Sequence, residues 1–217
     1  TSRPSRMHRP KQLAVFFAAP LLAAVAHAGG GLVIVHAAGG PGVDHTDLQT
    51  AVDLAPAGTT LLVRSGSYDG LTIANKGLYV LVETGSSATL TGELVVQGVP
   101  GGPSAIVRGL ERDGGSAALV TSCTGPVALE DVVSESGLTI VDASVHLVRA
   151  TVGPIDATDS DVAVHETIVC GANGADGAAA SPGDPGGAAI TIDGGSLLLS
   201  GATATGVEAA LSAATNE

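Results

Sequence analysis

Three charged residues of this chain share one offset. Asp131, Arg149 and Glu166 each lie four residues after a valine that opens an apolar-x-apolar triplet: Val127, Val145 and Val162. If those triplets stack, the side chains form a row of carboxylate, guanidinium and carboxylate. A guanidinium among carboxylates can serve β-elimination on a polysaccharide, with the arginine as base. It can equally form a surface ion-pair ladder. One arginine flanked by acids is commoner as structure than as an active site. The ladder is the expectation, and Arg149, Asp131 and Glu166 stand as the catalytic candidates.

A second set is wholly acidic. Asp142 and Asp159 lie four residues after Leu138 and Ile155, with Asp156 and Asp161 nearby. Stacked carboxylates repel unless water or a cation separates them. Asp142, Asp159 and Asp161 are therefore candidate Ca2+ ligands, since Ca2+ takes several carboxylate and carbonyl oxygens. A solvated acidic corner is the plainer expectation. Gly171-Ala172-Asn173-Gly174-Ala175-Asp176 half-matches the Gly-Gly-x-Gly-x-Asp calcium repeat, but it occurs once, and such sites need tandem copies. No motif requires a cofactor, so Ca2+ is the one candidate ion. Gly39-Gly40-Pro41-Gly42 lacks the last glycine of a dinucleotide fingerprint, and no β-α-β unit follows. His36, His45, His146 and His165 lack zinc spacing, and no G-x-S-x-G elbow is present. Cys123 and Cys170 fall at different phases of the repeat, so two thiols are expected rather than a bridge.

The elements that must position these residues are periodic. Leu71-x-Ile73 is followed seven residues later by Leu78-x-Val80. The same step joins Leu138-x-Ile140 to Val145-x-Leu147, Ile155-x-Ala157 to Val162-x-Val164, and Ile190-x-Ile192 to Leu197-x-Leu199. The word Gly-Leu-Thr-Ile occurs at 70–73 and 137–140, with a near copy at 189–192. A fixed period of strand-length pairs implies coils stacked about 4.8 Å apart, each unable to bury its inward residues alone. Taking about 17–18 residues per coil, residues 60–205 hold about eight coils. A sandwich of short strands is the competing architecture. Residues 171–187, rich in Gly, Ala, Pro and Asp, break the period and read as a loop thrown out from a coil corner.

Upstream, Gly31–Val35 reads as a strand. Thr46-Asp47-Leu48-Gln49 reads as a capping box, with Thr46 at the N-cap and Gln49 reaching back. Leu48, Val52 and Ala55 share one helical face, and Pro56 and Gly58 end the helix. The division is then 1–28, 29–58 for the first strand and capping helix, and 59–217 for the coils. Within 1–28, Thr1–Arg6 are an upstream remnant before Met7. A basic start, an apolar run from Leu13 to Ala26 and the Ala26-His27-Ala28 site make a secretory signal peptide. The run has 14 residues, short of a span. No stable membrane span is expected after cleavage.

Beyond Ala28 the chain keeps five basic and 21 acidic residues, a formal charge of −16. Nothing there could line a nucleic-acid backbone, so nucleic acid is excluded as a partner. Only Tyr68 and Tyr79 remain as aromatics beyond the leader, which suits thin β-layers of small and branched residues.

The run Asp47-Leu48-Gln49-Thr50-Ala51-Val52-Asp53-Leu54-Ala55-Pro56-Ala57-Gly58-Thr59, followed by Leu62-Val63-Arg64-Ser65-Gly66-Ser67-Tyr68, resembles the opening of right-handed parallel β-helix proteins of the pectin-lyase-like superfamily. In that group a helix caps the first coil and a G-T-x-x-V-x-x-G-x-Y strand begins the solenoid. The resemblance implies an all-β fold: a single-stranded, right-handed parallel β-helix (β-solenoid) with a short N-terminal capping helix. Arginine-based lyase chemistry would follow from the same resemblance. The paired aspartates of polygalacturonases, the Arg-x-Pro-x-x-Arg of pectate lyases and the pectinesterase blocks are all missing. A left-handed hexapeptide helix fails because the internal step is seven.

The expectation is therefore a non-catalytic or uncharacterised member, secreted or at the cell surface, acting as a structural or binding module. Its partners would be extracellular polysaccharide or envelope components. The alternative is a polysaccharide-acting enzyme, lyase-like or glycoside-hydrolase-like, or a fragment of one. Expression with the leader intact in an exporting host should release a chain beginning at Gly29. N-terminal sequencing of the exported protein checks this, and an uncleaved chain held in the membrane refutes it.

Overall fold

The computed structural model describes residues 30–115, 117–171 and 187–205. Residues 1–29, where a leader is expected, nearly all of the 171–187 segment and the chain beyond 205 lie outside the described residues. Within them the protein is mostly β, its strands paired in parallel, with one helix. Strands group into a ten-stranded and a seven-stranded sheet.

The chain visits three walls in turn. Strands Thr60–Val63, Tyr79–Val82 and Ala105–Arg108 belong to the first wall, behind Leu32–Val35. Gly66–Tyr68, Ala88–Leu90 and Leu110–Arg112 begin the second wall. Leu71–Ala74 and Leu94–Gln97 begin the third. Farther on, third and first walls are joined by single long strands, Ala118–Glu130, Leu138–Val148, Ile155–His165 and Ile190–Ser200. Each long strand is bent at a corner between its two halves. The last three carry the seven-residue step of the sequence, while in Ala118–Glu130 the step is nine, with a register shift between Cys123 and Val127.

The register matches the sequence period in the second half of the chain. Leu138 pairs with Ile155 and Ile155 with Ile190, while Val127 pairs with Val145 and Val145 with Val162. Layers there advance by 18 and then 17 residues. The first half departs from that period. Along Thr60, Tyr79, Ile106 and Ala128 the steps are 19, 27 and 22 residues. Corners such as Val99–Ser104 take up part of the surplus. Eight strands line up in the first wall, but one is Leu32–Val35. Residues 60–205 therefore supply seven layers there rather than about eight, because the uniform 17–18-residue step does not extend to all of them.

Alternation decides what is buried. Leu61, Val63, Val80, Val107, Val127, Val145 and Leu147 point inward and are fully buried. Their neighbours in sequence point out. The Thr of Gly-Leu-Thr-Ile is the outward step: Thr72 and Thr139 are half-buried, whereas Leu71, Ile73, Leu138 and Ile140 are in the core. Burying one such Leu or Ile side chain stabilises by about 1.5–3 kcal/mol.

The helix spans Leu48–Leu54 and buries Leu48, Ala51 and Val52. Its N-cap is Asp47, not Thr46. The Asp47 carboxylate accepts the Thr50 N–H at 2.7 Å. That bond holds its pKa below the ordinary carboxylate value. Gln49 does not turn back to the cap. Its amide oxygen accepts the Thr72 N–H at 2.7 Å, and its amide nitrogen donates to the Thr72 carbonyl at 3.1 Å. One side chain thereby acts as a strand for the edge of Leu71–Ala74, an edge that unprotected would invite another chain. Lys76 closes the other helix end, its ammonium donating to the carbonyls of Val52, Asp53 and Ala55 at 2.6, 3.2 and 2.9 Å.

Replacing Gln49 with Ala strips both bonds from Thr72 and should cost about 1–3 kcal/mol, at about 0.5–1.5 per bond. Gln49→Glu keeps the acceptor and loses the donor, so it should fall between. Urea midpoints rank the three proteins. Faster amide exchange at Thr72 in Gln49→Ala locates the effect, and unchanged exchange there would refute it.

Candidate functional site

The corner between the first and second walls requires one residue per layer in the left-handed region. Gly109, Asp131, Arg149, Glu166 and Gly201 fill it, with φ of 78°, 51°, 50°, 49° and 65°. Each N–H bonds to the carbonyl preceding the next corner. Gly109 donates to Glu130, Asp131 to Val148, Arg149 to His165 and Glu166 to Ser200, at 2.9–3.0 Å. Asp131, Arg149 and Glu166 are thus one row, as their offset from the valines implied. A left-handed backbone costs a residue with a Cβ roughly 1–2 kcal/mol, so something must offset it at Arg149 and Glu166.

At Arg149 an ion pair supplies part of it, exposed pairs being worth little. Arg149 Nε donates to Asp131 Oδ1 at 2.8 Å and its second guanidinium nitrogen to Oδ2 at 3.0 Å. This is the bidentate fork that carboxylates and arginines share. The hydrogen bonds hold the Asp131 carboxyl below the usual carboxylate range and push Arg149 still higher. Glu166 lies in the row but pairs with its neighbour His165, at 3.5 Å. It acts on Arg149 only through its charge.

Upstream, where the sequence period does not reach, Gly109 and Val82 continue the row and charges flank it one residue to either side. Arg64 bridges Glu83 at 3.5 Å. Arg108 sits opposite Glu130 in register and adds to the field on Asp131. Six successive layers along this edge carry Arg64, Glu83, Arg108, Asp131, Arg149 and Glu166, alternating in sign. Between them lies an open groove of about 370 Å³, lined by Val82–Ser86, Arg108, Gly109 and Asp131.

Arg112 is a further charged residue that escaped the sequence reading. It points inward from Leu110–Arg112 and is 5 % exposed. It donates to Ser134 Oγ at 2.8 Å, and that hydroxyl donates to the Gly137 carbonyl at 3.2 Å. Burial pushes its pKa down. The only signal in sequence is an arginine in the second apolar place of Leu110-x-Arg112.

The acidic set is arranged differently from a metal cage. Asp142 and Asp159 occupy the corner between third and first walls, with φ of 49° and 47°, in a row with Asn75, Gly98, Ser122 and Gly194. Asp161 lies two residues on, in register with Ser144 and Ser196, and accepts the Ser196 hydroxyl at 2.6 Å. Among the described residues no three His, Cys, Asp or Glu side chains form a group suited to a metal ion. Asp142, Asp159 and Asp161 answer the need for left-handed corners and solvated turns. Cys123 is buried, its thiol 3.2 Å from the Thr121 carbonyl, and Cys170 is exposed on the second wall. They form no disulfide with each other.

What the row can do chemically follows from its protonation. β-Elimination needs an arginine that gives up its proton, and Asp131 makes Arg149 a weaker acid. Both partners are about half exposed, so the pair is an open ladder rung at the side of the groove that Asp131 also lines. Among the described residues no helix is long and apolar enough to cross a membrane. No family model, curated protein or solved structure matches the chain.

The lowered pKa of Asp131 fixes a pH signature. Stability contributed by a carboxylate whose folded pKa is depressed is present above its unfolded pKa, about 3.9. It is lost as pH falls through the folded value. Asp131→Asn should therefore be less stable than the parent at pH 7, and the gap should close in acid, below about pH 4. Urea midpoints measured from neutral to acid pH test this, and a gap independent of pH would refute the pairing.

Proposed function

We propose that the chain is a right-handed parallel β-helix of the pectin-lyase-like kind, exported and used as a non-catalytic extracellular or cell-surface module. The parallel register from layer to layer, the three walls and the helix at the first end support the fold assignment. The right hand follows the strong preference of parallel crossover connections. Export rests on the leader at 1–28.

The observation that carries the non-catalytic reading is the fork between Arg149 and Asp131. The arginine best placed in sequence for base chemistry is held protonated by an exposed carboxylate. The row then serves as a corner device that meets polysaccharide or envelope components with a rigid, mostly acidic surface. Ca2+ is not needed for this role. One observation favours the enzymatic alternative. In the groove over Gly109 two carboxylates, Glu83 and Asp131, flank Arg108, an arrangement that a polysaccharide-acting enzyme could use.

Incubation of the exported protein with polygalacturonate, alginate and neutral glycans distinguishes the two. The expected outcome is neither the ultraviolet absorbance of an unsaturated product nor new reducing ends. Product formation abolished by Arg149→Ala or Arg108→Ala would establish the enzyme and overturn the module.

A further inference from the structure

The outward side of the first wall carries two columns of side chains. The first runs Leu32, Thr60, Tyr79, Ile106, Ala128, His146, Ala163 and Leu198 through the eight layers. The second runs Ile34, Leu62, Leu81, Arg108, Glu130, Val148, His165 and Ser200 in the same register. For a surface this is unusually apolar. Leu62, Tyr79, Leu81, Ile106 and Val148 are only half-buried, and Leu32 and Leu198 at its two ends are 61 % and 67 % exposed. Arg108 and Glu130 are the only Arg, Lys, Asp or Glu in the two columns, and they occupy layers four and five of eight.

That placement is self-complementary. A two-fold axis running along the strands, between layers four and five, reverses the order of layers in a second copy laid face to face. Arg108 of each copy then meets Glu130 of the other, twice. The same operation sets Leu81 against Val148, Tyr79 against His146 and Leu32 against Leu198. An isologous contact must have this property, each residue meeting the partner of its own partner. We propose that the outward side of the first wall is a self-association face, on which two copies pack with their layers antiparallel.

The proposal goes beyond the module reading, because it assigns a partner to the flat of the first wall, beside the corner edge with which it shares Arg108. The face measures roughly 35 by 13 Å, from eight layers about 4.8 Å apart and four-residue strands rising about 3.3 Å per residue. Two copies would bury about 900 Å², close to the roughly 1,000 Å² that a specific interface must clear. A weak dimer is expected, with a dissociation constant of order micromolar. The central charge pairs would fix its register and exclude other alignments.

Sedimentation velocity of the purified chain over a concentration series tests this. The parent should show a monomer–dimer equilibrium. Arg108→Glu and Glu130→Arg each place like charges together twice, and each should raise the dissociation constant by roughly tenfold or more. An equimolar mixture of these two variants restores both contacts and should dimerise again, as should the double variant Arg108→Glu/Glu130→Arg. A parent that stays monomeric at every concentration overturns the proposal. So does a dimer that survives both single reversals, or a mixture that fails to reassociate. Circular dichroism of each variant reports folding. Should a reversal fail to fold, Leu81→Ser, which alters no charge, must also weaken the dimer, and an unchanged constant overturns the face.

Discussion

Parallel pairing in register places each residue directly over its counterpart one layer away, about 4.8 Å off. Every other feature of this molecule answers to that constraint. An inward residue must accept an inward residue above and below it, so the interior is built from Leu, Val, Ile and Ala columns. A corner must turn identically in each layer, so the left-handed backbone recurs at Asp131, Arg149 and Glu166. A charged corner must tolerate a charge one layer away, so the signs along that edge alternate. The ion pairs are less a source of stability than the arrangement that lets polar residues occupy stacked corners without repelling.

The two ends of the stack face the same constraint from outside, where a layer lacks a neighbour. At the first end the helix supplies a substitute. Leu48, Ala51 and Val52 cover the interior, and Gln49 satisfies the exposed backbone of Thr72. The five basic residues beyond Ala28 are all placed within the fold. Arg64, Arg108 and Arg149 stand in the ladder, Lys76 holds the helix C-terminus, and Arg112 is enclosed beside Ser134. A cationic surface for polyanions is therefore missing both from the composition and from the layout of the described residues.

What the sequence revealed depended on how regular each region is. Between Val127 and Leu199 the seven-residue step and the apolar triplets read directly as register, and Asp131, Arg149 and Glu166 fell into their row. Upstream the layers advance by 19, 27 and 22 residues. A fixed ruler slips there, so Arg64, Glu83 and Arg108 escaped notice although they continue the same edge. The helix was legible from Leu48, Val52 and Ala55, but its cap was misplaced by one residue. Thr46 and Asp47 are both good caps, and only the reach of the Asp47 carboxylate to Thr50 decides between them. Gln49 looked like half of a capping box because nothing local in sequence announces Thr72 as its partner. Asp142, Asp159 and Asp161 suggested a cation because acids at one offset stack. Spacing did not announce that Asp142 and Asp159 hold left-handed corners or that Asp161 accepts from Ser196.

The segment between Cys170 and Ile190 separates two neighbouring layers whose register it leaves intact. Ile155 pairs with Ile190 and Ile168 with Thr203, at 35 residues where the preceding layer takes 17. Doubling the length of a closed loop costs only about 0.6 kcal/mol. Sequence can therefore be added at that corner with almost no penalty to the stack, provided that the strands on either side are kept. The stack is thus indifferent to length at this one point: the pairing of its neighbouring layers sets the fold, and the stretch of chain between them does not.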